Sequence, residues 1–164
     1  MSEAAKVNPQ GIGASVRRRE DQRFITGEGQ YTDDLNQAGQ VYAAFCRSPY
    51  ARARINGIDT SEALSVAGVI AVYTGAEMVA DGLGDIPCGW LVKSKDGSDM
   101  NSAPHPPMAA TLANYVGEPY ALVVADSVQA AKQGAEMVVA DFAELNAVID
   151  VSQASVSEPI YESV

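Results

Sequence analysis

The feature that most constrains the fold is a strand, helix, strand succession in the last third of the chain. Residues 120–125 are apolar and rich in valine, which predicts a buried strand. Ser127 then offers a side-chain oxygen that caps a helix. Apolar residues recur on one face of that helix at helical spacing: Val128, Ala131, Ala135 and Val138. Residues 138–142 resume a strand pattern, so the sequence predicts a mixed α/β or α+β domain.

Shorter segments complete the predicted fold. Residues 40–46 are apolar at both alternating sets of positions, which predicts a central strand buried on two faces. Residues 52–56 alternate polar and apolar residues, the pattern of a half-exposed strand, and Ser48-Pro49-Tyr50 is a turn that predicts a hairpin between the two. A capping sequence at residues 59–62 predicts a short helix, and residues 69–73 predict another strand.

Two segments lack such patterns. Residues 1–14 are small, polar and glycine-bearing, which predicts a flexible N-terminal arm. Residues 81–107 are punctuated by glycine and proline and predict a long loop, which becomes ordered against another surface or stays mobile. Trp90 lies in this loop, where it either folds back onto the core or faces a partner as a binding anchor.

Near the N-terminus lies a basic cluster that we define as Arg17, Arg18, Arg19 and Arg23. Residues 20–25 predict a short helix that ends at Gly27. Arginine forms bidentate bonds with carboxylates and carbonyls, so the cluster is a candidate partner interface. Pairing within the domain, with Glu20, Asp21, Asp33 and Asp34, is the alternative. Further structural turns are expected at Gly29, Gly117 and Pro119.

Chain length, net charge and the distribution of apolar residues exclude several classes of protein. The 164 residues suit one domain with a sizeable core. Residues 1–54 hold 8 Lys/Arg and 6 Asp/Glu, whereas residues 55–164 hold 3 and 15, so the net charges are +2 and −12. A total of −10 argues against nucleic-acid binding. No apolar run approaches the ~20 residues of a membrane span, and no secretory signal is visible, so a cytoplasmic protein is expected.

Residues that carry chemistry are scarce. Two cysteines, Cys46 and Cys88, are too few for a disulfide framework, a zinc site or an iron–sulfur cluster. His105 is the single histidine and has no nucleophile partner at a recognisable spacing. Glu118 is a lone carboxylate beside a glycine turn, for which turn hydrogen bonding is the better interpretation. We therefore predict no catalytic, cofactor-binding or metal-binding residue in this chain.

Five blocks in the sequence point to a family. They are residues 17–34 (RRREDQRFITGEGQYTDD), 45–55 (FCRSPYARARI), 58–63 (IDTSEA), 68–75 (GVIAVYTG) and 115–125 (YVGEPYALVVA). In this order they resemble the start of the molybdenum-binding large subunit of the xanthine dehydrogenase, aldehyde oxidase and carbon monoxide dehydrogenase family. The resemblance covers about residues 11–155 and implies the α/β hammerhead domain of that family.

The resemblance also implies a domain arrangement and partners. Residues 15–152 would form the hammerhead domain, and residues 153–164 would start a linker towards a molybdopterin-binding domain whose cofactor loops and catalytic residues this chain lacks. The complete oxidoreductase would use molybdopterin with molybdenum, 2Fe-2S clusters and FAD. Its partners would be the molybdopterin-binding domain or subunit and the iron–sulfur and FAD subunits. A free-standing interaction or assembly module that kept the fold without the activity is the alternative.

Overall fold

The computed structural model describes residues 14, 16 and 18–161, which belong to two compact units, Met1–Gln40 and Val41–Val164. In the first unit, the described residues form one short helix, α1 (Asp21–Ile25), and a 3₁₀ turn at Thr32–Asp34. The predicted arm at residues 1–14 and Arg17 lie almost entirely outside the described residues. Helix α1 agrees with the prediction for residues 20–25.

The second unit contains two antiparallel sheets of three strands each. Its strands are β1 (Tyr42–Arg47), β2 (Ala53–Asp59), β3 (Val69–Thr74), β4 (Leu112–Ala113), β5 (Pro119–Ala125) and β6 (Val139–Glu144). Its helices are α2 (Ser61–Leu64), α3 (Gly75–Ala80), α4 (Val128–Met137) and α5 (Val151–Ala154). Sheet A has the order β1-β5-β3, and sheet B has the order β4-β2-β6. Helices and antiparallel sheets together confirm the mixed α/β class.

The core lies where α4 packs across sheet A. Ser127 Oγ accepts a hydrogen bond from Ala130 N at 3.3 Å, which confirms the predicted cap of this helix. Gly134 faces the sheet so closely that a Cβ atom there would lie 2.8 Å from side-chain atoms of both Val123 and Val69. The missing side chain therefore allows the helix to approach the central strand.

Sheet B joins the same core through aromatic and aliphatic contacts. The rings of Tyr120 and Phe142 meet edge to face, with centroids 5.3 Å apart. Ile55 and Val138 are buried in the same cluster. The strand, helix, strand succession thus links the two sheets, because β5 belongs to sheet A and β6 to sheet B.

The prediction of a central strand at residues 40–46 was wrong, and so was the hairpin that follows it. Strand β1 lies at the edge of sheet A, and Phe45 is 49% exposed. Strand β2 pairs with β4 and β6 in the other sheet. The physical reason is a pairing with a distant segment: Ser48 N donates to Glu118 O at 2.9 Å and Ser48 O accepts from Gly117 N at 2.8 Å. These bonds hold the chain leaving β1 against the start of β5.

The close approach of α4 to sheet A gives a test of the core. Gly134→Ala is expected to lower the free energy of unfolding by about 1–3 kcal/mol through overpacking. This loss opposes the gain of about 1 kcal/mol that alanine normally brings to a helix interior. Urea denaturation measures it, with the exposed Gln133→Ala on the same helix as control. A Gly134→Ala variant more stable than the wild type would contradict the close packing.

Candidate partner interface

The described part of the basic cluster surrounds α1, and its side chains are exposed. Arg23 Nη2 lies 2.7 Å from Glu20 Oε1, and Arg18 Nε lies 3.8 Å from Asp21 Oδ1. Arg19 is exposed and forms no ion pair with any described residue. Arg18 and Arg23 therefore each pair with one carboxylate of the same unit. Exposed pairs of this kind contribute little to stability, so these guanidinium groups exchange partners at low cost.

A glycine turn and an aromatic stack fix the chain around α1. Gly27 has a φ of +79°, and the amides of Glu28 and Gly29 both donate to Arg23 O, at 2.7 and 2.8 Å. Phe24 stacks on Tyr31 with ring centroids 4.9 Å apart. A Cβ atom on Gly29 would clash with the Phe24 ring. The two glycines thus serve backbone geometry and close approach, and Arg23 lies over the Phe24 ring with its Cζ 5.1 Å from the centroid.

In the second unit, Trp90 is 80% exposed and does not pack on the core. Its neighbours in the loop are also exposed and apolar: Leu83, Ile86, Leu91 and Val92. The loop is held by local polar bonds, including Ile86 N to His105 O at 2.8 Å and an ion pair between Lys93 and Asp99. The apolar side chains of these loop residues are exposed despite those bonds. Trp90 therefore has the exposure that a binding anchor requires.

The predicted turn at Gly117 and Pro119 forms the junction between β1 and β5. Gly117 has a φ of +88°, a conformation that side-chain-bearing residues rarely adopt. Its carbonyl accepts from Arg47 Nη1 at 2.9 Å. Pro119 starts β5 opposite Arg47, and its carbonyl accepts from Ala109 N at 2.8 Å. Both residues serve the turn itself, and they set the register of the central strand.

Glu118 is buried within this junction and is only 4% exposed. Its carboxylate accepts a hydrogen bond from the backbone amide of Asn114. The Asn114 Nδ2 amide in turn donates to the Tyr161 hydroxyl at 3.1 Å. Burial and then the nearby charge of Glu118 raise the pKa of Tyr161. Turn bonding by Glu118 was expected from the sequence, but no sequence pattern pointed to Asn114 or Tyr161, which only tertiary packing brings together.

Metal-ligating and nucleophilic side chains stay apart. The residues from 18 to 161 contain no group of three or more His, Cys, Asp or Glu side chains placed to hold a metal ion. Cys88 and His105 are exposed, while Cys46 is buried with its thiol donating to Ala135 O at 3.5 Å. Burial raises the pKa of the Cys46 thiol to about 11. A neutral buried thiol is a poor nucleophile.

The geometry at Gly117 predicts the effect of a side chain there. Gly117→Val is expected to lower the free energy of unfolding by more than about 1–2 kcal/mol. The left-handed backbone conformation is strained for any residue with a Cβ atom, and the branched side chain of valine adds further steric restriction. Gly84→Val is the matched control, since this exposed glycine has open space around it and no positive φ. Chemical denaturation of both variants measures the difference. Equal stability of the two would contradict the role of Gly117.

The raised pKa of Cys46 predicts a loss of stability in alkaline solution. The thiol pKa is 9.0 without the fold and about 11 within it. The contribution of Cys46 to the free energy of unfolding is therefore complete below pH 9 and falls as the pH rises from 9 to 11. Denaturation curves across this range measure the fall. Cys46→Ala is expected to reduce the slope, and Cys88→Ala, at an exposed thiol, is expected to leave it unchanged.

Comparison with known proteins agrees with this architecture. The family model "Aldehyde oxidase and xanthine dehydrogenase, a/b hammerhead domain" matches residues 26–146. The nicotine 6-hydroxylase large subunit of Paenarthrobacter nicotinovorans is 36% identical over 91% of this chain and 18% of its own length. The carbon monoxide dehydrogenase large chain of Afipia carboxidovorans is 46% identical over 42% of this chain and 8% of its own length.

A solved structure shows the same fold. Quinoline 2-oxidoreductase from Pseudomonas putida 86 matches with a TM-score of 0.75 and 34% identity, over 93% of this chain and 19% of that chain. The alignments with the nicotine 6-hydroxylase subunit and the quinoline 2-oxidoreductase each cover more than nine tenths of this chain. They cover less than one fifth of either relative. None of the described helices is long and apolar enough to cross a membrane. The chain belongs to the aldehyde oxidase and xanthine dehydrogenase family, the molybdenum hydroxylases, and matches their a/b hammerhead domain.

Proposed function

We propose that this chain acts as the non-catalytic hammerhead portion of a molybdenum hydroxylase, in which it scaffolds the large subunit and contacts partner domains. The observations that carry the proposal are the match of residues 26–146 to the hammerhead family model and an alignment that covers 91% of this chain but only 18% of a related large subunit. We expect the remaining part of such a subunit to pack against this domain. Residues 15–152 are the proposed domain, and residues 153–164 are the proposed start of the linker that leaves it.

The complete enzyme that we propose is a cytoplasmic oxidoreductase with molybdopterin, 2Fe-2S clusters and FAD. Its molybdenum centre supplies the hydroxylation of a carbon atom or the oxidation of carbon monoxide, with oxygen derived from water. The family match of this chain is to the hammerhead domain, and the alignment with a related large subunit covers only 18% of that subunit. We therefore assign the chemistry to other domains and a structural contribution to this chain.

Two exposed features are the proposed contact surfaces. The basic cluster presents Arg19 without an ion pair among the described residues, while Arg18 and Arg23 form exposed ion pairs. Arginine gains most when a partner carboxylate or carbonyl engages its planar donors. Trp90, exposed in the second unit, supplies the large apolar surface that binding hot spots use. The polar and apolar contributions are separable by mutation.

A pull-down from native extract tests the function itself. The tagged 164-residue chain is expected to copurify with a molybdenum-containing chain that lacks its own hammerhead domain, and metal analysis of the eluate detects it. A wild-type chain that recovers no molybdenum would overturn the proposal. That result would favour the alternative, a free-standing interaction or assembly module.

Charge reversal tests the proposed arginine surface. Arg17→Glu combined with Arg19→Glu is expected to weaken docking to the rest of the enzyme about tenfold or more, which is about 1.4 kcal/mol. The melting temperature is expected to change little, because exposed substitutions usually alter stability by less than about 0.5 kcal/mol. Binding titration and thermal unfolding measure the two effects. Lys132→Glu on the exposed face of α4 is the control, and an unchanged docking affinity in the double variant would contradict the assignment.

A further inference from the structure

The sequence contains a single Asn-Gly pair, Asn56-Gly57, and both of its residues are exposed in strand β2. An asparagine that precedes glycine is the asparagine most prone to lose its side-chain amide. The next backbone nitrogen attacks the side-chain carbonyl carbon, and glycine has no Cβ atom to obstruct that attack. No part of the proposed function uses this pair.

The backbone at Asn56 lacks the pairing that holds the rest of β2. In the register with β6, the partners of Ile55 and Gly57 are consecutive residues, so Asn56 is the extra residue of a bulge. On the other side of β2, strand β4 pairs with the first two residues of β2 and does not reach Asn56. Regular pairing on both sides would restrict the backbone rotation that ring closure requires. The bulge therefore leaves Asn56 freer to react than a paired residue.

The fold does not require a glycine at position 57. The φ angle of Gly57 is not in the left-handed region, and a Cβ atom there would meet no atom within 4 Å. In this it differs from Gly117, which has a positive φ, and from Gly134, which packs closely on the sheet. An alanine is therefore compatible with the backbone at position 57, and it would differ from glycine mainly by obstructing the nitrogen.

The side chain of Asn56 joins β2 to β6. Its Nδ2 amide donates to Asp141 Oδ2 at 3.2 Å. This bond needs the amide N–H group, which deamidation removes. An aspartate at position 56 would place a second carboxylate beside Asp141, and like charges on neighbouring strands are destabilising. Loss of the amide thus turns an attractive contact between the two strands into a repulsive one.

We propose that Asn56 is a site of spontaneous deamidation, and that this modification weakens the contact between β2 and β6. The backbone nitrogen of Gly57 bonds to Asn56 Cγ while the Cγ–Nδ2 bond breaks, and the proton of that nitrogen leaves with the amide as ammonia. Water then opens the resulting succinimide ring at either of its carbonyl carbons, which yields aspartate or isoaspartate. Isoaspartate adds one carbon atom to the backbone of β2, so it also disturbs the register with β6.

Peptide mapping of the purified 164-residue chain, incubated in neutral buffer, tests the site. The tryptic peptide that starts at Ile55 contains Asn56 as its only side-chain amide, so the mass change of deamidation in it belongs to this residue. Asn56 is expected to react at least fivefold faster than Asn146, which is also exposed but precedes an alanine. Gly57→Ala is expected to slow the reaction at Asn56 at least fivefold. Equal rates at the two asparagines, or an undiminished rate in Gly57→Ala, would overturn the site.

Urea denaturation before and after the incubation tests the consequence. The incubated wild type is expected to unfold at a lower urea midpoint than the fresh protein, whereas Gly57→Ala treated alike keeps its midpoint. Asn56→Asp, which mimics one product, is expected to lower the midpoint relative to Asn146→Asp, the control at the other exposed asparagine. Deamidated protein as stable as the fresh protein would overturn the proposed weakening. Because both measurements use the isolated chain, failure of the pull-down would leave this inference standing.

Discussion

The packing of α4 against the central strand β5 is the contact on which the rest of the domain depends. It is possible at this distance because Gly134 has no side chain to separate the helix from Val123. Strands β1 and β3 both pair with β5, so its position sets the register of sheet A. The chain leaving α4 then enters β6, which brings sheet B onto the same core. A change at this contact therefore affects both sheets.

The junction between β1 and β5 connects this core to the surface features. Gly117 takes a left-handed conformation, and Ser48 bonds to both Gly117 and Glu118, so the start of β5 is held by main-chain bonds that no side chain can replace. The carboxylate of Glu118 then accepts a hydrogen bond from the backbone amide of Asn114 and holds that residue in place. Asn114 is thus held by the same turn that positions the central strand.

The local patterns predicted the elements and left their pairing open. Ser127 and the helical spacing after it predicted α4, because caps and amphipathic periodicity act within one or two turns of chain. The apolar run at residues 40–46 predicted a strand correctly, but its central position was wrong. An apolar residue such as Phe45 looks the same in sequence on an interior strand and on the half-exposed face of an edge strand. The partners of a strand depend on distant segments of the chain, and the periodicity within the strand does not reveal them.

By itself, the sequence determined the mixed class, the main strands and helices, the glycine turns and the family resemblance, because these depend on local conformation and on residues read in order. Only the tertiary structure decided that Trp90 is exposed, that Cys46 is a neutral buried thiol, and that Asn114 bonds to Tyr161. Those properties depend on which distant segments exclude water from a group or supply its hydrogen-bond partners. Residues separated by more than sixty positions meet only when the sheets pack.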